Sequence, residues 1–154
     1  MSIAANPFME LALAQATIAY EKGEVPVGAV VVSSRGEVLA TAHNLVITVK
    51  DPTAHAELLA VRAACAKIGS ERLVDCDLYV TLEPCAMCAQ AISFARIRRL
   101  YFGASDPKGG GVEHGARVFS HATCHHKPEL YGAIGENEAA SLLKKFFQNL
   151  RNNN

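Results

Sequence analysis

At 154 residues, half of them apolar, the chain is long enough to bury one substantial core without a disulfide scaffold. Fifteen basic and fifteen acidic residues cancel, so net charge gives no global signal for nucleic acid. The longest apolar stretches, such as residues 27–32, are too short to span a membrane, and residues 1–10 lack the basic-then-apolar order of a secretory signal, so a cytoplasmic protein with no membrane partner is expected.

In chain order, Asn6-Pro7 predicts a helix start, a cap followed by proline at the first helical position. Phe8, Leu11, Ala12, Ile18 and Ala19 then recur at helical spacing, and Gly23 ends the segment. Residues 25–33 and 38–42 read as two strands of a hairpin, joined through a turn at residues 34–37. Asp51-Pro52-Thr53 predicts a second helix start, running through Leu58, Leu59 and Val61 to about Gly69. Residues 77–83 form a buried-type strand, Pro84 opens a helix to Ala95, and residues 99–103 form a fourth strand. The Gly109-Gly110-Gly111 run marks a long loop, with a short strand near residues 130–134.

Ala139, Leu142, Leu143, Phe146, Phe147 and Leu150 then mark the clearest helix, and the asparagines beyond it are expected to fray. Strands alternating with helices predict an α/β fold over residues 1–154, one domain with a central sheet of about five strands and helices on both faces.

Charge is unevenly divided. Residues 1–77 hold six Lys/Arg against nine Asp/Glu, and residues 78–154 hold nine against six. A difference this small reads first as solvated surface and second as a phosphate-binding face.

The chemistry lies in two short segments. His55-Ala56-Glu57 stands at one predicted helix start, and Pro84-Cys85-Ala86-Met87-Cys88 at the next strand-to-helix turn. Cysteines three apart on a helix share one face. Two thiolates and one imidazole suit Zn²⁺, and three protein ligands leave a fourth position open for water, as in catalytic sites. Both ligand pairs fall at helix N-termini, whose positive ends favour thiolates. Zinc lowers the pKa of a bound water to about 7. Glu57 is the candidate proton carrier, on condition that His55 lies in an irregular first turn, because residues i and i+2 of a regular helix diverge. Cys65 and Cys76 read as core residues. Cys124-His125-His126 reads as a polar loop edge, or as the source of a fourth ligand that would make the zinc purely structural.

His-x-Glu followed by Pro-Cys-x-x-Cys is the known signature of the zinc nucleobase deaminases. Around it, Gly23-Glu24-Val25-Pro26-Val27-Gly28-Ala29-Val30, His43-Asn44, Asp51-Pro52-Thr53-Ala54 and Leu78-Tyr79-Val80-Thr81-Leu82-Glu83 extend the pattern. With Ser105-Asp106-Pro107-Lys108 and Phe146-Phe147-Gln148-Asn149-Leu150-Arg151, the chain resembles the bacterial tRNA-specific adenosine deaminases from about residue 7 to residue 151.

The resemblance implies a three-layer α/β/α cytidine-deaminase-like domain with a mixed sheet, a homodimer and one Zn²⁺ per chain. It also implies conversion of adenosine to inosine at the wobble position of a tRNA anticodon stem-loop, by attack of zinc-bound hydroxide on C6 with Glu57 shuttling protons. It assigns Asn44 to the target nucleotide, and Phe146, Phe147 and Arg151 to flanking nucleotides. The phenylalanines equally suit the apolar stripe of the last helix, and Asn44 could simply end a strand. Residues 109–135 depart from the family pattern, which leaves open a free nucleobase or nucleoside, of guanine or cytosine type, as the substrate.

Overall fold

The computed structural model describes residues 6–153. Its first helix, α1 (Pro7–Glu21), begins as expected: the Asn6 side chain accepts the Phe8 and Met9 N–H groups, each at 3.0 Å. The buried stripe is Met9, Ala12, Ala16 and Ala19, whereas Leu11 and Ile18 are exposed. Small residues line this face because the helix lies directly on the strand that follows. A Cβ added at Gly28 would overlap the Ala12 carbonyl oxygen and sit 2.6 Å from the Ala16 nitrogen.

That strand, β1 (Gly28–Val32), is shorter than expected. Pro26 has no N–H to donate, and the Val27 N–H bonds back to Val25 O at 2.8 Å, so residues 25–27 turn instead of joining the ladder. β2 (Val38–His43) completes the hairpin, with a register shift between Val31 and Val32. α2 (Ala56–Ile68), β3 (Asp77–Leu82), α3 (Ala86–Phe94), β4 (Arg99–Ala104), a 3₁₀ turn (Val118–Ser120), β5 (Glu129–Tyr131) and α4 (Glu136–Asn152) follow.

The strand order is β2-β1-β3-β4-β5, antiparallel in its first two pairings and parallel in its last two, hence the mixed sheet. The period-two alternation of strands divides the core. Ala29, Val31, Leu78, Val80, Leu100 and Phe102 pack toward Ala56, Ala60 and Ala64 of α2 and toward Ala89 and Ile92 of α3. Val30, Val32 and Tyr79 face the other way, onto Met9 and Ala12 of α1. α4 shares that second face: its Ala139 abuts Gly103 of β4, and its Phe146 meets Tyr20 of α1 edge-on at 6.2 Å. The result is a three-layer α/β/α arrangement.

Three further boundaries differ from the sequence reading. Asp51-Pro52-Thr53 does not begin α2. Asp51 Oδ1 accepts both the Thr53 N–H (2.8 Å) and its hydroxyl (2.7 Å), a local turn that competes with helix, and α2 starts at Ala56. The last strand is Glu129–Tyr131, one residue earlier and shorter than expected. α4 continues through Asn152, with Asn153 as its C-cap, so the asparagines prolong the helix; Asn154 lies outside the described residues. Among the described residues no helix is long and apolar enough to cross a membrane.

The close seat of α1 on β1 sets a test. Gly28→Ala should cost about 1–3 kcal/mol or more in urea unfolding, because the methyl group must push backbone aside. Stability equal to that of the parent would mean that α1 does not rest on β1.

Candidate active site

α2 and α3 both start at the same edge of the sheet, where β3 and β4 end. His55 is the N-cap of α2 with extended backbone (φ −78°, ψ 149°), so its side chain does not follow the helical period. That places it beside Glu57 and meets the condition set by the sequence, although the irregularity is a residue outside the helix and not a distorted first turn. His55 makes no side-chain cap; Asn44, at the end of β2, substitutes by accepting the Ala56 N–H at 2.8 Å. Cys85 is the N-cap of α3, also extended (φ −70°, ψ 174°), and Cys88 follows in the first turn.

The two junctions meet. His55 Nδ1 lies 3.6 Å from Cys85 Sγ and 3.5 Å from Cys88 Sγ, and the three donor atoms fall within 4.8 Å of one another. A tetrahedral zinc with Zn–N of about 2.05 Å and Zn–S of about 2.3 Å requires N···S edges of about 3.6 Å. The donor set and its spacing therefore fit Zn²⁺. Among the described residues no other His, Cys, Asp or Glu group has this arrangement.

The electrostatics follow from burial and shared protons. Glu57 is 4% exposed, and burial pushes its carboxyl up to about 7. The Cys85 thiol is brought down to about 4, first by the hydrogen bond from Cys88, then by His55 and the Cys88 N–H at the helix start. The same sulfur–sulfur bond, with burial, pushes the Cys88 thiol upward. His55 is raised, first by its bond to Cys85. Any proton on either sulfur must leave for both to become ligands.

His55, Glu57 and Cys85 open onto a cleft of about 380 Å³. Two buried carboxylates hold its walls, and the sequence reading gave neither a role. Glu24 Oε1 accepts the Ile47 N–H (3.1 Å), and its Oε2 accepts the N–H and hydroxyl of Thr48 (both 2.6 Å). Glu83 receives hydrogen bonds from the loop that follows β4. For each, burial opposes the charge, but the hydrogen bonds win and hold the carboxyl below its ordinary value. The available signal was an acidic residue one position from an apolar strand segment or its proline, in Glu24-Val25-Pro26 and Leu82-Glu83-Pro84.

Asn44 also lines the cleft, 8% exposed, with its carbonyl oxygen committed to α2. The other expected RNA contacts stand apart. Phe146 is buried against Tyr20, Phe147 is 45% exposed, Arg151 is exposed, and none of the three lines the cleft. Cys124 is buried, 3.4 Å from Ser93 Oγ, and His126 Nε2 bonds Ile97 O at 2.6 Å. Neither belongs to the ligand cluster, so no fourth protein ligand comes from that loop.

Residues 3–104 match the profile of the cytidine and deoxycytidylate deaminase zinc-binding region. A tRNA-specific adenosine deaminase of Agrobacterium fabrum is 57% identical over 144 residues, covering 94% of each chain. The chain belongs to the tRNA-specific adenosine deaminase family. A solved structure from a study of A-to-I editing by tRNA:A34 deaminases at the wobble position is 58% identical, with a TM-score of 0.86 over 88% of this chain and 98% of that one. A guanine deaminase of Nitrosomonas europaea shares the fold at 22% identity, with a TM-score of 0.78 over 94% of this chain and 86% of that one. The profile that identifies the family ends as β4 does, so it contains the His55, Glu57, Cys85 and Cys88 positions and leaves out the loop held by Glu83. The matched family region is a zinc-binding one, and the three clustered donors are able to hold one such ion.

The buried Glu57 gives the metal-free protein a pH signature. Its carboxyl sits near 7 when folded against an ordinary 4.5, so the native state binds more protons between these values. That contribution to stability is complete below about pH 4.5 and is lost as pH rises through about 7. In metal-free protein, urea midpoints measured across this window should fall for the parent relative to Glu57→Gln. Parallel curves would show that Glu57 is not held protonated by burial.

Proposed function

We propose that the chain hydrolytically deaminates adenosine to inosine at the wobble position of a tRNA anticodon, with His55, Cys85 and Cys88 as zinc ligands and Glu57 as proton carrier. The observation that carries this is the buried Glu57 carboxyl opening onto the same cleft as the three-donor cluster. The substrate follows from the identity to tRNA-specific adenosine deaminases along nearly the whole chain.

When bound, zinc supplies the Lewis acidity that makes water an available nucleophile near neutral pH. Glu57 takes the proton of the attacking water and delivers it to adenine N1, then assists the departing amine; water adds at C6, the C6–N6 bond breaks, and ammonia leaves. Its buried position on the cleft beside the donor cluster lets the carboxyl take a proton from the attacking water and hand it to the substrate without release to bulk solvent. Asn44 fixes the start of α2, and thereby His55 and Glu57, while its amide nitrogen is available to the nucleotide. The base enters flipped out of its loop, since its C6 is out of reach in a stack.

Phe147 and Arg151, both exposed on α4, are the flanking-nucleotide contacts in this reading, with the buried Phe146 ring edge-on against Phe147 at 5.3 Å. A cytoplasmic homodimer completes it, acting as one domain per chain. Phe94, 69% exposed at the end of α3, is the kind of apolar side chain that a second copy would cover.

Incubating the purified zinc protein with bulk tRNA and measuring inosine at the anticodon tests the substrate. The parent should produce it. Glu57→Ala should keep its fold and one zinc while losing about a thousandfold or more in rate. Turnover of free bases alone would end the tRNA claim, and substantial Glu57→Ala activity would remove Glu57 from the mechanism.

A further inference from the structure

We infer that Glu83 is a positioning residue whose buried carboxylate holds the loop of residues 106–114 in place as the substrate-facing wall of the cleft. The inference rests on the deaminase reading of that cleft. Glu83 stands two residues before Cys85, yet it turns away from the ligand cluster toward the loop.

Its side chain is fully buried and accepts five hydrogen bonds. Oε1 takes the Asp106 N–H (3.0 Å) and His114 Nδ1 (2.7 Å). Oε2 takes the successive N–H groups of Val112 (3.2 Å), Glu113 (3.0 Å) and His114 (3.1 Å). Three consecutive amides converging on one oxygen form a nest, a backbone anion site, and here the chain fills it with its own carboxylate. A carboxylate offers about four acceptor positions, so Glu83 is saturated and has no capacity left for zinc or substrate.

The glycine run follows from this. A Cβ at Gly110 would overlap Glu83 Oε2 and stand 2.5 Å from Asp106 O, so the backbone reaches the carboxylate only without a side chain. Gly111 N–H bonds Pro84 O at 2.8 Å, and a Cβ at Gly111 would lie 2.5 Å from the Ala86 nitrogen. The loop is thus laid against the turn that carries Cys85. Its other side gives Asp106 and Gly109 to the cleft, in a turn closed by the Gly109 N–H on Asp106 Oδ1 at 2.9 Å. Glu83 therefore couples the metal-ligand turn to the wall that a substrate meets.

Glu83→Gln is nearly isosteric but turns an N–H₂ toward groups that donate, so the Asp106 N–H loses its acceptor in one orientation of the amide and the three N–H groups of residues 112–114 lose theirs in the other. In the zinc-loaded protein, hydrogen exchange at Asp106 and residues 112–114 should quicken at least about tenfold, while α2 and α3 are unchanged and zinc stays at one per chain. On an anticodon stem-loop, KM should rise at least about tenfold with kcat within about threefold, the sign of lost binding without lost chemistry. Gly110→Ala should reproduce both effects without touching the carboxylate, and serves alone should Glu83→Gln fail to fold. The double variant should be no worse than the worse single one, since both break one contact.

Unchanged exchange, unchanged KM, or zinc lost in step with activity would each overturn the proposal. A parent that ignores the stem-loop would instead sink the tRNA reading. The KM comparison is then made on whichever free base it accepts, and exchange at the loop decides as before.

Discussion

The partial positive charge at the starts of α2 and α3 is brought to one point by the sheet beneath them, and the rest of the site is organised around that meeting. Extended N-cap residues, His55 and Cys85, aim their side chains inward from both sides and leave N–H groups that favour a thiolate. Holding two helix ends together is electrostatically unfavourable without an anion or ligand set between them. Here that cost is offset by the thiolate of Cys85 and by Asn44, which satisfies one free N–H of α2 from a neighbouring strand. Glu57 then falls on the inner side of α2, too buried to ionise easily and too near the cluster to be irrelevant to it.

This arrangement accounts for hydrolytic deamination and does not choose the base. Fold does not set the substrate, so selectivity lies in the residues that surround the junctions. In this chain each side of the cleft hangs on a buried carboxylate: Glu24 for the segment at Ile47 and Thr48, Glu83 for the segment from Asp106 to His114. Both bond mainly backbone amides, with the Thr48 hydroxyl and the His114 ring adding side-chain contacts, so the course of each loop is set by the buried carboxylate beneath it.

Much of this was legible in the residues. His-x-Glu and Pro-Cys-x-x-Cys carry their own spacing rules, and the succession of strands and helices along the chain predicts a sheet with helices on both faces. The start of α2 was misplaced because Asp51-Pro52-Thr53 has the composition of a helix cap while its side chains close a turn. The expected stripe of α1 joins Ala12 and Ala19, which are buried, to Leu11 and Ile18, which are exposed; the buried face is Met9 and three alanines, the latter set against Gly28. Helix packing that close has no periodic signature beyond small side chains. Glu24 and Glu83 escaped because a buried carboxylate is recognised by its donors, and those donors are backbone amides of distant loops, common to every residue type. The phenylalanines of α4 divide as their pattern allowed: Phe146 belongs to the core and Phe147 to the surface.

Hydrolysis at this site requires a three-ligand zinc with one position not filled by protein. X-ray absorption at the zinc edge of the purified protein measures this shell directly. The expected shell is two sulfurs at about 2.3 Å, one imidazole nitrogen at about 2.05 Å, and a fourth light atom that exchanges with added small ligands. A shell of four protein ligands, or one with three or more sulfurs, would contradict it.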